Sequence, residues 1–467
     1  MRALARPGIF IAMPLASRSI DAKSGLSKAV LPESFMVSLY RALAPYRGCA
    51  HGCAYCDGRA EKYFVEGDFA RDIAVRHNIV ERIQADVSSG IAATEFGAVA
   101  LGSGVTDVYQ PLEREERLTR GVLEALVPAG LPIAILTKND LVARDFDLLE
   151  RFPAALVMTT ITTTDEAVAA RLEPGASPPA ARLAFLKEAR TRGFHTGIMA
   201  MPLCPGISDT AASFGAVLDV AVDAGAEFVW PGGLTLRPGR QKDLFHTLLD
   251  AHWPALRGDN DLLYGENRPS GMPLATASRA LLMRLDTALR ERSIPAMPPL
   301  SLYRDLLSLP DALFVLLCHM QGLYNLRGVD TRPLKAATDR YADWLRTQRK
   351  ALRRRRADAR QSGQAPFWRT SLLEERLKAL CSPQGLPVDV LSPVPGAALP
   401  RRELEPCLFE LEGPPIQPGI SLEDLLGNEK LAALLRAIVC EGKDFSYSSL
   451  SLVPALGGKG LVKNHIL

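Results

Sequence analysis

The chain has 467 residues, 47% of them hydrophobic, and a formal net charge of +3. That length predicts two or three domains around sizeable packed cores, and so even a charge balance points to no particular partner. Eight cysteines in so long a chain exclude a disulfide scaffold; only three cluster, a usage that fits a reducing, cytoplasmic setting.

The start is basic, and its apolar run Ile9–Met13 is interrupted by Pro7 and Pro14, which predicts a flexible arm over residues 1–34 rather than a targeting peptide. Phe35 to Tyr40 reads as a strand. It feeds Cys49-Ala50-His51-Gly52-Cys53-Ala54-Tyr55-Cys56, a C-x3-C-x2-C pattern on a loop bent by Gly48 and Gly52. Three thiolates on one short loop can hold three irons of a cubane cluster and leave the fourth open, where four cysteines are usual. A zinc knuckle would need a fourth ligand, and only His51 lies close enough in sequence. Asn78 is placed to cap a helix reaching Val87. Strand and helix patterns then alternate. Strands are expected at Ala98–Leu101, Ile133–Leu136, Ala155–Met158, Gly197–Ala200 and Phe228–Trp230. Helices are expected at Glu113–Leu126, Phe146–Arg151, Pro178–Arg192 and Phe214–Ala224. Such alternation implies a parallel sheet with right-handed crossovers and function on the loops after the strand C-termini.

The cysteine pattern resembles that of the radical S-adenosylmethionine (radical SAM) enzymes. The order of Pro45-Tyr46-Arg47-Gly48-Cys49, Thr106 to Glu113, Thr137-Lys138, Arg171-Leu172-Glu173-Pro174 and Pro202 to Asp209 is similar to the branch around spore photoproduct lyase. The resemblance covers roughly residues 40–237. It implies a partial (β/α)6 barrel, a [4Fe-4S] cluster on Cys49, Cys53 and Cys56, S-adenosylmethionine as the second cofactor, and a one-electron donor such as flavodoxin or ferredoxin. It further implies that Tyr55 sits near the adenine, Ser103 and Gly104 line the methionine end, Lys138 pairs with the carboxylate, and Thr160 and Thr162 reach the ribose. Asp107, Tyr109 and Glu113 are candidates to face the substrate, although Glu113 also suits a first helical turn. His195 reads as a hydrogen-bonded residue near the core. The branch's lyases return a hydrogen atom from a cysteine shortly after the second barrel strand. Leu101 to Thr106 holds none here, and Cys204 is the one conceivable substitute.

Beyond Arg237 the resemblance fades, and a mainly helical region is expected: Pro273–Arg292, Asp311–Leu323 and the basic Lys335–Arg360. The closest approach to a membrane span, Ala312–Leu323, contains His319 and Gln321, so no membrane insertion is expected. Arg353, Arg354, Arg355 and Arg356 could bind nucleic-acid phosphates, but such a run is more often a solvated helix face. Residues 383–418 are rich in Pro and read as a linker, and Ser421–Glu441 as a last helix. The expected organisation is an arm (1–34), a radical SAM core (35–260), a helical region (261–382) and a Pro-rich segment with a terminal helix (383–467). The function expected is reductive cleavage of S-adenosylmethionine for hydrogen abstraction from an unidentified substrate, by catalytic residues the sequence does not single out. The alternatives are a nucleic-acid lesion lyase and a non-catalytic metal-binding protein that contacts nucleic acid.

Overall fold

The structure, a computed structural model, describes residues 16–93, 95–102, 105–361, 369–381 and 421–440. Two sheets are built first. Strands β1 (Ala16–Ser19), β2 (Leu26–Glu33), β3 (Ser38–Ala42), β4 (Tyr46–Arg47) and β5 (Asp72–Val75) precede helix α1 (Ile79–Ser88). β1, β5 and β4 form a small sheet, while β2 pairs antiparallel with β3 at one edge of the main sheet. The expected strand at Phe35–Tyr40 therefore starts later. Val37, at φ 48°, sits in the turn between β2 and β3.

The main sheet continues through β6 (Val99–Leu101), α2 (Glu113–Glu116), α3 (Leu118–Leu126), β7 (Ile133–Thr137), α4 (Phe146–Leu149), β8 (Ala155–Thr160), α5 (Glu166–Leu172), α6 (Pro179–Thr191), β9 (His195–Leu203), α7 (Ala211–Asp223) and β10 (Phe228–Gly233). The six strands β3, β6, β7, β8, β9 and β10 run parallel and neighbour one another in chain order. β6 and β8 are buried along their whole length, as strands with both faces covered must be, which is why they read as unbroken apolar runs. Helix α6 packs on β8 and β9, and α1 packs on α3.

Three expected details differ. Asn78 does not cap α1; its side chain exchanges hydrogen bonds with the backbone of Ala22, at 2.8 and 3.1 Å, and pins the segment before β2. The helix expected over Glu113–Leu126 is two, because Arg117 turns left-handed at φ 51°. The last helix is also two, Leu422–Leu426 and Glu429–Cys440, broken at Gly427 (φ 62°), with Asn428 accepting from Leu431 N at 2.9 Å.

The rest is helical: α8 (Arg240–His252), α9 (Arg257–Leu263), α10 (Ala275–Glu291), α11 (Leu300–Leu306), α12 (Leu309–Leu326), α13 (Arg332–Gln361) and α14 (Arg369–Cys381). The expected strip of Pro-rich chain at 383–418 lies outside the described residues. Arg353–Arg356 fall within α13, but their side chains lie outside what the structure describes. No described helix is long and apolar enough to cross a membrane. The core is continuous from the sheet into α12, α13 and the last helix. Arg349 on α13 is sunk into that seam, pairing with Glu95 at 2.6 Å and with Asp311, and donating to Val30 O at 2.8 Å. His319 on α12 donates from Nε2 to Ser34 O (2.9 Å), so its Nδ1 accepts from Tyr303 OH (2.6 Å). Burial holds this imidazole neutral, its pKa pushed down to about 4.

His195 opens β9, at the end of the sheet opposite the strand C-termini, and bonds to Glu227 (3.0 Å) and Asp305 of α11 (2.9 Å). Burial opposes its protonation, but those two carboxylates prevail and raise its pKa from 6.5. A raised folded pKa adds stability that is fully present below the unfolded pKa and is lost as pH rises through the folded one. Urea unfolding of His195→Asn should therefore show a smaller loss of stability between acidic and alkaline buffers than the parent chain. Equal pH dependence in both would show that His195 is not protonated in the fold.

Candidate functional site

The cysteine loop leaves β4 and has no regular structure of its own, so its shape is set by what it touches. Gly48 and Gly52 adopt φ 87° and 66°, the left-handed region that glycine enters without a Cβ clash. A Cβ on Gly48 would also stand 2.9 Å from Phe69 O. Two side chains of the β6–α2 connection reach Gly48 O: Thr106 Oγ1 at 2.6 Å and Gln110 Nε2 at 3.3 Å. Gln110 Oε1 accepts from Ala50 N at 2.8 Å. Cys49 N donates to Phe69 O, Ala54 N to Leu172 O, and Gly175 N to His51 O. Arg59 donates to the carbonyls of Cys53 (3.0 Å) and Gly52 (2.9 Å).

Held in this way, the side chains of Cys49, Cys53 and Cys56 line one cavity of about 70 Å³ together with Thr106, Lys138 and Thr160. The three thiols come from the cysteine loop, and the other three residues follow or end β6, β7 and β8. Burial pushes all three thiols up, Cys53 to about 12, so the bare chain holds them protonated. Among the described residues no group of three His, Cys, Asp or Glu is placed to hold a single metal ion. His51, the only candidate fourth ligand for zinc, is occupied: Nδ1 faces Asp107 at 3.4 Å and Nε2 faces Asn139 Nδ2 at 3.4 Å. Burial comes first in lowering its pKa, so the ring is neutral.

The other sequence candidates separate. Lys138 and Thr160 line the cavity. Tyr55 and Thr162 do not: both hydroxyls donate to the Glu173 carboxylate, Thr162 at 3.3 Å, and both residues are buried. Lys138 Nζ lies 5.8 Å from the Tyr55 ring centre. Ser103 and Gly104 lie outside the described residues. Asp107 also lines the cavity, but its oxygens accept from Tyr109 N (2.9 Å), Thr137 Oγ1 (2.8 Å) and Lys138 N (2.8 Å), so it fixes the end of β7. Glu113 is buried and accepts from Tyr46 OH (2.6 Å), Thr119 N (2.9 Å) and Arg144 (2.7 Å); Tyr109 is also buried, and neither lines the cavity. Cys204 is buried among Tyr55, Leu172 and Leu234 and does not line it either.

Two residues carry structural weight that the sequence did not assign them: Glu173 stood there only within the motif Arg171-Leu172-Glu173-Pro174, and Arg182 not at all. Glu173 and Arg182 pair directly with side chains only 1% exposed, and Arg182 also donates to Ser177 O (2.6 Å) and Thr160 O (2.8 Å). Burial opposes ionisation of Glu173, but Arg182 and Lys138 hold its carboxyl below the usual range. The signal in sequence was an arginine on the apolar stripe of Ala181, Phe185 and Ala189. A second cavity, of about 550 Å³, opens between α7, α9 and α10 and is lined mainly by apolar groups such as Leu234, Leu263, Tyr264 and Leu281. It shares no lining residue with the cysteine cavity.

Comparison with known proteins adds the following. Residues 43–212 match the model of the radical SAM superfamily. An uncharacterized protein of Mycobacterium tuberculosis is 30% identical over 223 residues, which is 46% of this chain and 64% of that protein. The chain thus spans somewhat less than two thirds of that relative. A protein of Pseudomonas phage M6 called a radical SAM Nalpha-GlyT isomerase is 28% identical over 191 residues, 41% of this chain and 36% of its own. Spore photoproduct lyase complexed with dinucleoside spore photoproduct aligns in structure over 59% of this chain and 79% of its own, at 15% identity and a TM-score of 0.44.

Removing Glu173 would leave Arg182 charged, buried and unpaired. Glu173→Ala should cost about 3–5 kcal/mol in urea unfolding. The Glu173→Ala/Arg182→Met double variant should be more stable than the single one. Equal stabilities would show that the pair is not buried in solution.

Proposed function

We propose, on the premise that residues 43–212 form a radical SAM domain, that the chain is an enzyme whose cofactors sit in the cysteine cavity. Members of that superfamily use a [4Fe-4S] cluster and S-adenosylmethionine. The observation that carries the reading is the donor set: Cys49 and Cys53, both buried, and the partly exposed Cys56 line one cavity beside a lysine, and no other described cysteine lines it. Thiols without a cation stay protonated in such surroundings, and on iron they would ionise. The residues therefore fit the group.

Cys49, Cys53 and Cys56 would hold the cluster by three of its irons. When bound, cluster and S-adenosylmethionine supply a one-electron cleavage of a sulfur–carbon bond that yields a 5′-deoxyadenosyl radical, which takes a hydrogen atom from the substrate. The chain's own part is placement. Lys138 stands at the end of β7 with its amide held by Asp107, positioned to pair with a carboxylate in the cavity. Thr160 offers a hydroxyl from the end of β8. The Tyr55 and Thr162 hydroxyls are bonded to Glu173, which with Arg182 braces the cysteine loop, so any contact of these two residues with adenine or ribose would be made by their other atoms. We read the six parallel strands as a partial (β/α)6 barrel, open on the β10 side. Thiol ligands suit a reducing, cytoplasmic compartment. The burial of Cys204 weighs against its returning a hydrogen atom to a product, and so against the lesion-lyase reaction.

The ligand set is tested by Cys49→Ala, Cys53→Ala and Cys56→Ala. Each should lose iron after anaerobic reconstitution and lose 5′-deoxyadenosine formation. A full four-iron content in two of the three would overturn the assignment.

Lys138→Ala should keep its iron and bind S-adenosylmethionine roughly tenfold or more weakly, since a charge-assisted contact is worth about 1.5–3 kcal/mol. Titration of the cluster's EPR signal with S-adenosylmethionine measures this. Unchanged affinity would leave Lys138 as a strand-end residue only.

A further inference from the structure

The cavity of about 550 Å³ between α7, α9 and α10 has the size of a site for a small organic molecule. Pro205 and Gly206, which follow β9, and Leu234, which follows β10, bring it to the strand ends. Most of its wall is apolar. Leu234 and Tyr264 belong to the same buried cluster as Cys53 and Tyr55, and Leu256 and Leu263 pack against them. Met272 lines the cavity and is 44% exposed. The Tyr264 hydroxyl is used, donating to Leu234 O at 2.8 Å. Two polar groups of the lining are not. Asn260 is only 2% exposed, and its Oδ1 faces His246 Nε2 at 3.2 Å. The Asp261 carboxylate, 3.8 Å from the same nitrogen, favours a proton on Nε2, so Asn260 accepts there with its oxygen. Its Nδ2, a donor, has no partner among the described residues. Ser278 Oγ on α10 is also buried without a partner among them. A buried polar atom left unpaired carries a cost that a ligand of matching polarity removes. The charges of the lining are already taken or lie outside: Arg284 donates to Asp209 at 3.4 Å, Gly206 N donates to Asp209 at 2.7 Å, and Asp259 is exposed.

We propose that this cavity is a binding site for an uncharged, largely apolar molecule that carries a carbonyl oxygen, such as the amide or ester of an aliphatic chain. The carbonyl oxygen accepts from Asn260 Nδ2 and from the Ser278 hydroxyl, and the chain lies against Leu234, Leu263 and Leu281. The head group is uncharged for an electrostatic reason. A carboxylate or phosphate would give up its water without meeting an unpaired cation among the described lining residues, and an ammonium would meet two unpaired groups that can only donate or share a proton. A purely hydrocarbon ligand would leave both groups unpaired, as they are now. The two cavities share no lining residue, so the proposal does not rest on the cofactor reading above.

The test is calorimetric titration of the full-length, iron-free protein with N-methyldecanamide, decanoate and decylamine, probes of one chain length that differ in head group. The amide should bind at least about tenfold more tightly than the other two, the order expected when only its oxygen finds partners. Shortening its chain should weaken binding about fourfold for each methylene removed. Ser278→Ala and Asn260→Leu should each weaken it about fivefold. Asn260 also bonds to His246, so Ser278→Ala decides the matter if Asn260→Leu does not fold. Ala277→Phe, which places a ring among the lining residues, should abolish binding while the far-UV circular dichroism stays that of the parent. Equal affinity for the three head groups would overturn the proposal and make the cavity an unspecific apolar void. Tighter binding of decanoate would overturn it in favour of an anion site. Unchanged binding in Ala277→Phe would place the amide elsewhere and overturn it too. So would absence of binding, and a concentration-dependent dimer that Leu262→Ser disrupts would then show this face to be an interface between copies of the chain, since Leu262, beside the lining Leu263, is 72% exposed.

Discussion

The carboxylate of Glu173 joins three stretches of chain. It accepts from Tyr55 in the cysteine loop and from Thr162 after β8, and it pairs with Arg182 on α6. A charge buried this deeply is tolerated only where partners replace the water it has lost. Each partner is therefore fixed by the need of the carboxylate rather than by its own preference. Arg182 extends the constraint by donating to Ser177 O and Thr160 O, so the end of β8 and the turn before α6 are held by the same pair.

Asp107 does for the other side of the loop what Glu173 does for this one. It ties its own turn to the end of β7 and faces His51 within the cysteine loop. Thr106 and Gln110, on the same connection, satisfy Gly48 O and Ala50 N. A loop of eight residues without regular structure would otherwise leave its backbone groups to water. Here several are met by side chains from the strand ends, which is what allows Cys49 and Cys53 to be buried and still line one cavity with Cys56.

The helical second half is not an appendage. Its core runs without a break into that of the sheet. Arg349 from α13 is buried against Glu95 and Asp311, and Lys28 from β2 shares Glu95 at 2.6 Å. β2 is the edge strand, and α12 and α13 cover it. Covering an edge in this way removes a surface that would otherwise invite pairing with another chain.

The sequence by itself determined the six parallel strands, the cysteine loop and the strand ends that line the cysteine cavity. Unbroken apolar runs and a C-x3-C-x2-C spacing are local patterns, and local patterns are legible in one dimension. The place of Lys138 and Thr160 at strand ends was legible for the same reason, since each ends or follows a strand whose position was already set. What only the tertiary structure decided is which polar side chains face the cavity and which are used up in holding it. Tyr55 and Thr162 carry the same groups as a ligand contact would, but the buried carboxylate of Glu173, more than a hundred residues from Tyr55 along the chain, claims both hydroxyls. Asn78 gave up a helix cap for the backbone of Ala22, and Arg117 broke a helix that periodicity alone would have continued. In each case the deciding partner lies far away in sequence or in a backbone angle. The free energy of burying a polar group is settled only when its neighbours in space are known.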